Sequence, residues 1–540
     1  MKLKNVPIKH LFFGLFAFFL VSCNQEINTE VNIIPQPQEV VFSKGSFPVK
    51  EGLKIVFADE TLKQTAEYLQ AEIEKEFKVK TTVETGTNVK DAVNLVLKEG
   101  YANEAYSLDV QSKKVVCEAS DETGVFYAIQ SFIQTIKNTD GKLAATCVTV
   151  KDAPAYPWRG MMLDEARHFF GKDVVKQQLD LMARLKLNRF HWHLTDEPAW
   201  RIEIKKYPLL TEIGSTGSWS DSKAPSAFYT QEEIKEIVAY AAQRHIMVIP
   251  EIDMPGHATA AARSYPEISG GGTGRWKDFT FHPAKDYTYE FISNIFTEVA
   301  ELFPAPYIHI GADEVHFGNQ SWYTDKQIQK FIKDNNLKDE VGLEHYFVRR
   351  VCDSVTSKGK IMLGWDEVIG AGVKPDSVIV MWWRHDKPKQ LSLALEQKFN
   401  VILTPRIPCY FDFVQDNSHK IGRRWGGKFN ELTTVYHFPD SIQHLLKGYE
   451  KQVLGTQANL WTERVKDKKR LDFMFYPRVL AIAEDAWTKQ GNKNYADFER
   501  RTKVFMKYLD SLNIYYFNMF DPESTPEPWG PEKADVLADG

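Results

Sequence analysis

One motif recurs between Trp158 and Glu463: a short apolar run that ends in acids or indoles, then a longer stretch of helical character. The runs are Gly160 to Leu163, Arg189 to Leu194, Ile246 to Ile252, Tyr307 to Ile310, Ile361 to Trp365, Val378 to Trp383, Val401 to Leu403 and Leu454 to Leu460. Runs this short and this apolar read as strands covered on both faces, which is how parallel sheets are buried. Eight of them alternating with helices over about 330 residues predict an α/β fold, a (β/α)8 TIM barrel with long loops. The rival, a doubly wound sheet, carries a Gly-rich phosphate loop after its first strand, and none follows Leu163.

The residues at the C-terminal ends of these runs point to chemistry, because barrel enzymes keep their working groups there. Run one ends in Asp164, with Arg167 and His168 just beyond; run two leads into His193 and Asp196; run three into Glu251, Asp253 and His257. Run four carries Asp313 and Glu314, five Trp365-Asp366-Glu367, six Trp382-Trp383-Arg384, seven Tyr410-Phe411-Asp412, and eight Trp461-Thr462-Glu463. Asp-Glu pairs also occur at Asp59, Asp121, Asp164, Asp196 and Asp366, so the pair at Asp313 gains meaning only from its place after the strand Tyr307 to Ile310 and the tight turn Gly311-Ala312. Each residue has a bland alternative: barrel core for Trp365, Trp383 and Trp461, a surface helix for Arg167, a turn for His257, loop packing for Tyr410 and Asp412. His193 reads equally well as a satisfied buried histidine, with His191 and Trp192 turned toward the helices, and Trp382 reads as core. Together, acids and indoles at one rim suit a neutral polyol. Carboxylates accept hydroxyl hydrogen bonds, and indole faces stack on pyranose C–H faces.

The chain has 540 residues, enough for two or more domains, and a net charge of -5 with no long basic run, which argues against a nucleic-acid partner. Lys2, Lys4 and Lys9 precede the apolar stretch Leu11 to Val21, the length of a signal-peptide core, and Leu20-Val21-Ser22-Cys23 resembles a bacterial lipoprotein box. The expectation is a signal over residues 1–22, lipid on Cys23, a tether over 23–30 and a location at the bacterial cell envelope. The remaining Cys117, Cys147, Cys352 and Cys409 are widely spaced, so no metal site is indicated and buried free thiols are expected. Residues 31–153 alternate strands (Lys54 to Ala58, Ala92 to Leu97, Ala105 to Val110, Lys114 to Glu118) with helices (Thr61 to Phe77, Gly124 to Ile136), predicting a small α+β domain ahead of the barrel at 154–540.

The ordered set of motifs resembles glycoside hydrolase family 20, the β-N-acetylhexosaminidases. Ile34-Pro35-Gln36-Pro37, Glu104 to Leu108 and Gly124 to Tyr127 are similar to that family's N-terminal domain. Asp164 to Phe169, His191 to Asp196, Asp253 to His257, His309 to Glu314, Gly364 to Glu367, Trp383-Arg384, Tyr410 to Asp412 and Trp461 to Glu463 are similar to its barrel motifs. The chain departs from the pattern at Glu197-Pro198, Ala312 and His385. The resemblance implies exo-cleavage of terminal N-acetylhexosamine, with no metal or organic cofactor, on a glycan or oligosaccharide substrate. Neighbours on a strand face opposite ways. Without a backbone break, Asp313 and Glu314 could then not flank one bond as the acid and nucleophile of an ordinary retaining site, about 5 Å apart. The family's solution is implied instead: the substrate's own acetamide attacks, Glu314 is acid and then base, and Asp313 steadies the acetamide. Tyr410 would hold the acetamide carbonyl, with Trp365, Trp383 and Trp461 as walls. Arg167, Asp412 and Glu463 would bind hydroxyls, and Asp196, Asp253 and His257 would support the pair. Two other readings stay open, an endo-acting chitinase-like hydrolase and an inactive carbohydrate-binding lipoprotein.

Overall fold

The computed structural model describes residues 30–529 and the short strand Ala538–Asp539. The signal segment, Cys23 and most of the expected tether lie outside the described residues.

The first domain is an eight-stranded sheet with two helices. Its strand order is Glu39–Pro48, Lys142–Asp152, Tyr106–Gln111, Lys114–Ala119, Ala92–Leu97, Leu53–Phe57 and Thr81–Thr85, with Ile136–Thr139 paired beside Lys142–Asp152. The helices Lys63–Phe77 and Glu122–Thr135 fill the layer between this sheet and the second domain. Asp121 caps the second helix by accepting from the Gly124 N–H, and residues Gly124 to Ile133 are buried throughout, as a helix covered on both sides must be. Charged side chains join the domains. Arg159 donates to Glu104 Oε2 and Tyr127 Oη, each at 2.8 Å, and Lys186 Nζ donates to Tyr106 Oη at 2.7 Å beside Asp152. The first domain therefore clamps the base of the first barrel strand.

The second domain is a closed barrel of eight parallel strands: Trp158–Asp164, Arg189–His193, Met247–Met254, Tyr307–Gly311, Ile361–Trp365, Val378–Trp382, Asn400–Leu403 and Val453–Leu460. Inside, Met162, Ile249, Leu363, Ile379, Met381 and Ile402 form an apolar plug continuous with Trp365, Trp383, Tyr410 and Trp461 above it. The larger core lies outside, between strands and helices. Helices cover most connections, but between strands five and six there are only the 3₁₀ turns Asp366–Ala371 and Pro375–Ser377, so the expected alternation lapses there. The four described cysteines are free and buried.

Strand four ends abruptly. Gly311, Ala312 and Glu314 have φ of +67°, +74° and +53°, so the chain leaves the strand in a left-handed turn. Only glycine serves at 311, because a Cβ there would lie 1.8 Å from Asp253 Oδ1.

Candidate active site

Two layers of buried charge sit at the barrel's C-terminal end. The deeper one centres on Glu251 of strand three. His191 and His193 are two residues apart on strand two and both point inward, while Trp192 points outward and donates to Glu165 Oε2. This corrects the placing of His191 with Trp192 against the helices. His193 Nδ1 lies 2.5 Å and His191 Nε2 3.0 Å from Glu251 Oε2; His309 Nδ1 and the Trp365 indole nitrogen lie 2.9 and 3.1 Å from Oε1. Burial alone would raise the Glu251 carboxyl, but His309, His193 and His191 hold it well below the usual carboxylate range. His191 itself is pushed down to about 4 by burial, and its Nδ1 faces the Gln457 amide at 3.0 Å, so it is neutral and carries its proton toward Glu251. His193 is the opposite case. Burial opposes its charge, yet Glu251 and Asp196 hold it well above the usual histidine range, and it bridges them as an imidazolium.

His191, Glu251 and His309 lie close enough together to surround one metal ion. The donor set argues for another use. His193 Nδ1 and the Trp365 N–H already hold one oxygen each of Glu251, and the lone pair of His309 Nδ1 is taken by the Gly311 N–H at 3.0 Å.

Asp196 connects this layer to the mouth. Its Oδ2 meets His193 Nε2 at 2.8 Å and Arg167 Nη1 at 2.7 Å, and its Oδ1 accepts from His257 Nδ1 at 3.0 Å. His257, although buried, is held well above the usual range by Asp196 and Asp253, so it too is an imidazolium. Its Nε2 has no hydrogen-bond partner and lies 3.8 Å from Asp313 Oδ2 and 3.9 Å from Glu314 Oε2. Both acids therefore face one cation. The condition attached to their separation is not met here: the left-handed turn provides the backbone break, and the pleat no longer governs. Burial raises Asp313 to about 6, with His257 opposing and Glu314 adding to the rise. Beside it, burial and the Asp313 charge push Asp253 well above the usual carboxylate range.

The mouth is a cavity of about 490 Å³, lined by Arg167, His257, Asp313, Glu314, Trp383, Arg406, Tyr410, Asp412, Phe413, Arg423, Trp461 and Glu463. Trp383 and Tyr410 lie parallel (9°, centroids 6.3 Å apart), Trp461 closes a third side at 6.1 Å from Tyr410, and the Trp383 indole is fixed by donating to Glu367 Oε2. Arg167 stacks its guanidinium 5.0 Å from the Trp461 ring. Asp412 is buried with both carboxylate oxygens lacking a hydrogen-bond partner. Arg423 Nε is 3.1 Å away but off line, and burial raises Asp412 to about 7 despite it. Arg423 Nη2 holds Glu463 at 2.8 Å; burial opposes that charge, but Arg423 and Arg167 keep Glu463 below its usual range. A wider cleft of about 1880 Å³ runs along the first domain's sheet edge, but none of its lining residues has a buried side-chain atom without a partner.

Of the residues singled out from sequence, Asp196, Asp253 and Trp365 do not line the cavity. Trp365 is 1% exposed and sits beneath Trp383 and Trp461, while the two aspartates stand behind His257 and Asp313. A wall position for Trp365 is corrected to one beneath the walls, while Asp196 and Asp253 stand behind the acid pair: strand ends supply two successive layers, and only the outer reaches the opening. Arg406, Arg423 and His309 were missed as site residues, and Glu251 was named at its strand end without a role. Parity along Tyr307-Ile308-His309-Ile310 marks His309 as a polar residue facing the barrel interior; Arg423 arrives on an irregular loop with no comparable signal.

Comparison with known proteins agrees with this geometry. Residues 156–490 match the catalytic domain of glycosyl hydrolase family 20, and residues 30–153 match domain 2 of that family. A β-hexosaminidase of Porphyromonas gingivalis is 36% identical over 94% of this chain and 68% of its own length. Among solved structures, a family 20 exo-β-N-acetylglucosaminidase from Vibrio harveyi in complex with N-acetylglucosamine superposes with a TM-score of 0.83 at 30% identity, covering 90% of this chain and 78% of that one. A β-N-acetylhexosaminidase from Bacteroides fragilis gives 0.80 at 28% identity, covering 92% and 99%. The paired acids on their left-handed turn thus sit in a known setting: the chain belongs to glycosyl hydrolase family 20.

Proposed function

We propose that this chain is an exo-acting, retaining β-N-acetylhexosaminidase that removes terminal N-acetylglucosamine or N-acetylgalactosamine by substrate-assisted catalysis. The observation that carries the reading is the convergence of Asp313 and Glu314 on His257 at the edge of a cavity walled by Trp383, Tyr410 and Trp461. A solved family 20 relative from Vibrio harveyi is an exo-β-N-acetylglucosaminidase, which favours exo over endo cleavage.

The family resemblance supplies the steps, and the positions of these residues support them. The acetamide oxygen attacks C1 while the C1–O bond breaks, and Glu314 gives its proton to the leaving oxygen. Asp313, ionised above about pH 6, accepts the acetamide N–H and offsets the charge growing on the oxazolinium ring. Tyr410 donates its hydroxyl to the acetamide oxygen, and the indoles exclude water and fold the group toward C1. Water then enters, Glu314 takes its proton, and attack at C1 reopens the ring with two inversions and net retention. Asp412, Glu463 and Arg167 serve the sugar hydroxyls. The unpartnered oxygens of Asp412 suit that task, since an unmet buried acceptor gains most from a new donor.

Glu314→Gln tests the acid role. Turnover of poor leaving groups should drop by roughly 10²–10⁴, and very good leaving groups should suffer less in the first step. Equal losses on both, with the second step shown not to limit, would remove Glu314 from the role. Substrates bearing a 2-hydroxyl in place of the acetamide should be nearly inert. A covalent sugar adduct on Asp313 or Glu314, seen by mass spectrometry, would restore the two-carboxylate mechanism that the turn geometry leaves open.

The N-terminal segment carries a separate reading, an envelope location through lipid on Cys23. Its support is the basic, apolar and Leu-Val-Ser-Cys order of residues 1–23. Lipid labelling that survives Cys23→Ala would end it.

A further inference from the structure

Asp412 and Arg423 stand at the two ends of one irregular loop after strand seven, and both line the cavity. The loop closes on itself. The Arg423 N–H donates to the Asp412 carbonyl at 3.0 Å, and the Val414 N–H to the Arg423 carbonyl at 3.1 Å. Gly422 permits the closure, with φ of +136° and no room for a Cβ, which would lie 2.6 Å from Val414 Cγ1. What the loop does for the site depends on a small offset. Arg423 Nε lies 3.1 Å from Asp412 Oδ2 but off line, while its Nη2 holds Glu463. A slight turn of the loop would bring Nε into line and fill the acceptor that Asp412 keeps open for a sugar hydroxyl. This loop must therefore be held more tightly than most.

The hold comes from beyond the barrel. The match to the family's catalytic domain stops at residue 490, and after it come the helix Tyr495–Ser511 and a segment reaching Trp529. Glu527 of that segment accepts two successive backbone N–H groups of the loop, Lys420 at 2.7 Å on Oε2 and Ile421 at 3.1 Å on Oε1. The buried Arg470 completes the latch. Its Nη1 donates to Glu527 Oε1 at 2.7 Å and its Nη2 to the Ile421 carbonyl at 2.6 Å. Hydrogen bonds with a charged partner are the strong class. Beside them the His419 ring packs against Phe473 and Phe517, with centroids 4.9 and 4.6 Å away.

The segment is itself braced: Tyr515 Oη donates to the Pro526 carbonyl and the Asn518 N–H to Thr525 Oγ1, each at 2.7 Å. Glu527 does not line the catalytic cavity, so its influence on sugar binding has to pass through the loop.

We propose that Glu527 is a positioning residue for the sugar pocket: it fixes the loop so that Arg423 keeps to Glu463 and leaves Asp412 open to a sugar hydroxyl. The segment after the barrel thereby sets affinity for the sugar held in the pocket rather than the ease of breaking its bond. The proposal rests on the hexosaminidase reading.

The test uses the full-length protein and 4-nitrophenyl N-acetyl-β-glucosaminide. Glu527→Ala should raise KM by roughly tenfold and leave kcat within about twofold, since the lost contact serves substrate and transition state alike. Glu527→Gln keeps the size of the side chain and one acceptor. It should give a smaller rise, and it covers the case in which Glu527→Ala does not fold. The readout that separates positioning from plain structure is coupling to Asp412. In the wild type, Asp412→Asn should lower kcat/KM by roughly tenfold. In either Glu527 variant the same change should cost less than about threefold, because Arg423 already occupies Asp412 there. Losses that simply multiply would make Glu527 a structural residue and overturn the latch; so would an unchanged KM in both variants. If the wild type released no nitrophenol, the hexosaminidase reading itself would fall, and the latch with it.

Discussion

The two layers of charge at the top of the barrel are built on opposite principles. In the deep layer, around Glu251, His193 and Asp196, every carboxylate oxygen has a donor and both acids are held below their usual range. At the mouth, Asp313 Oδ1, both oxygens of Asp412 and His257 Nε2 have no partner, and both acids are raised. Buried polar groups left unmet are costly. Such a concentration at one opening marks groups whose partners come with the substrate. The deep layer makes that arrangement tolerable: through Asp196 it fixes Arg167 and His257, so the unmet groups are held at set positions without having to satisfy one another. Rigidity below permits unmet valence above.

The comparison breaks first at Glu251. Glu251→Gln removes the charge that His193 and its neighbours surround, and losing one partner from a buried ionic cluster costs about 3–5 kcal/mol. The denaturant midpoint should fall accordingly, and the residual folded enzyme should lose turnover, since His257 loses its backing. A loss below about 1 kcal/mol would mean the deep layer is not holding anything.

The next effect concerns pH. Asp313 must be ionised to work, and burial places it at about 6. The profile of kcat/KM should therefore have an acid limb near pH 6, falling about tenfold per unit below it. Because Asp253 and Asp313 interact, that limb belongs to the pair. Asp412 also titrates in this region, at about 7, so the control is Asp412→Asn, which should lower activity but keep the limb. A limb near pH 4 would show that Asp313 is better solvated than its burial implies, and the contrast between layers would weaken.

The barrel was legible because parallel strands buried on both faces leave continuous apolar runs. The fifth run matched its strand, Ile361–Trp365, at both ends, and the others agreed within a few residues. In the first domain, Glu39–Pro48, Thr81–Thr85, Ile136–Thr139 and Lys142–Asp152 went unread. Thr81–Thr85 is an edge strand of Thr-Thr-Val-Glu-Thr, and Glu39–Pro48 is an edge strand, irregular between Phe42 and Ser46, so neither shows a clean period of two. Within the site, residues at strand ends were readable from their neighbours. Arg406 and Arg423 were not, because loops bring them in and no local rule fixes where a loop side chain lands. The argument about Asp313 and Glu314 turned on the same boundary: the backbone break it made its condition is what positive φ at Gly311, Ala312 and Glu314 provides.

The smallest effect separates the layers by stability alone. Asp412 is raised to about 7 in the folded protein, against about 3.9 for an unperturbed aspartate. A raised carboxylate favours folding when protonated, so its contribution is fully present below about pH 4 and is lost as pH climbs through 7. Asparagine mimics the protonated form at every pH. Asp412→Asn should therefore leave the melting temperature unchanged near pH 4 and raise it by roughly 2–4 °C at pH 8. Arg423 would not be stranded, since Glu463 still holds it at 2.8 Å. In the deep layer the sign reverses: Asp196 is depressed, because Arg167 and His257 outweigh its burial, and its contribution is present above about pH 4 and lost only in strong acid. Asp196→Asn should therefore destabilise at pH 8, where Asp412→Asn stabilises. Differential scanning calorimetry of the two variants at both pH values decides the matter. Equal signs at pH 8 would dissolve the distinction between a layer that supports the site and one that waits for substrate.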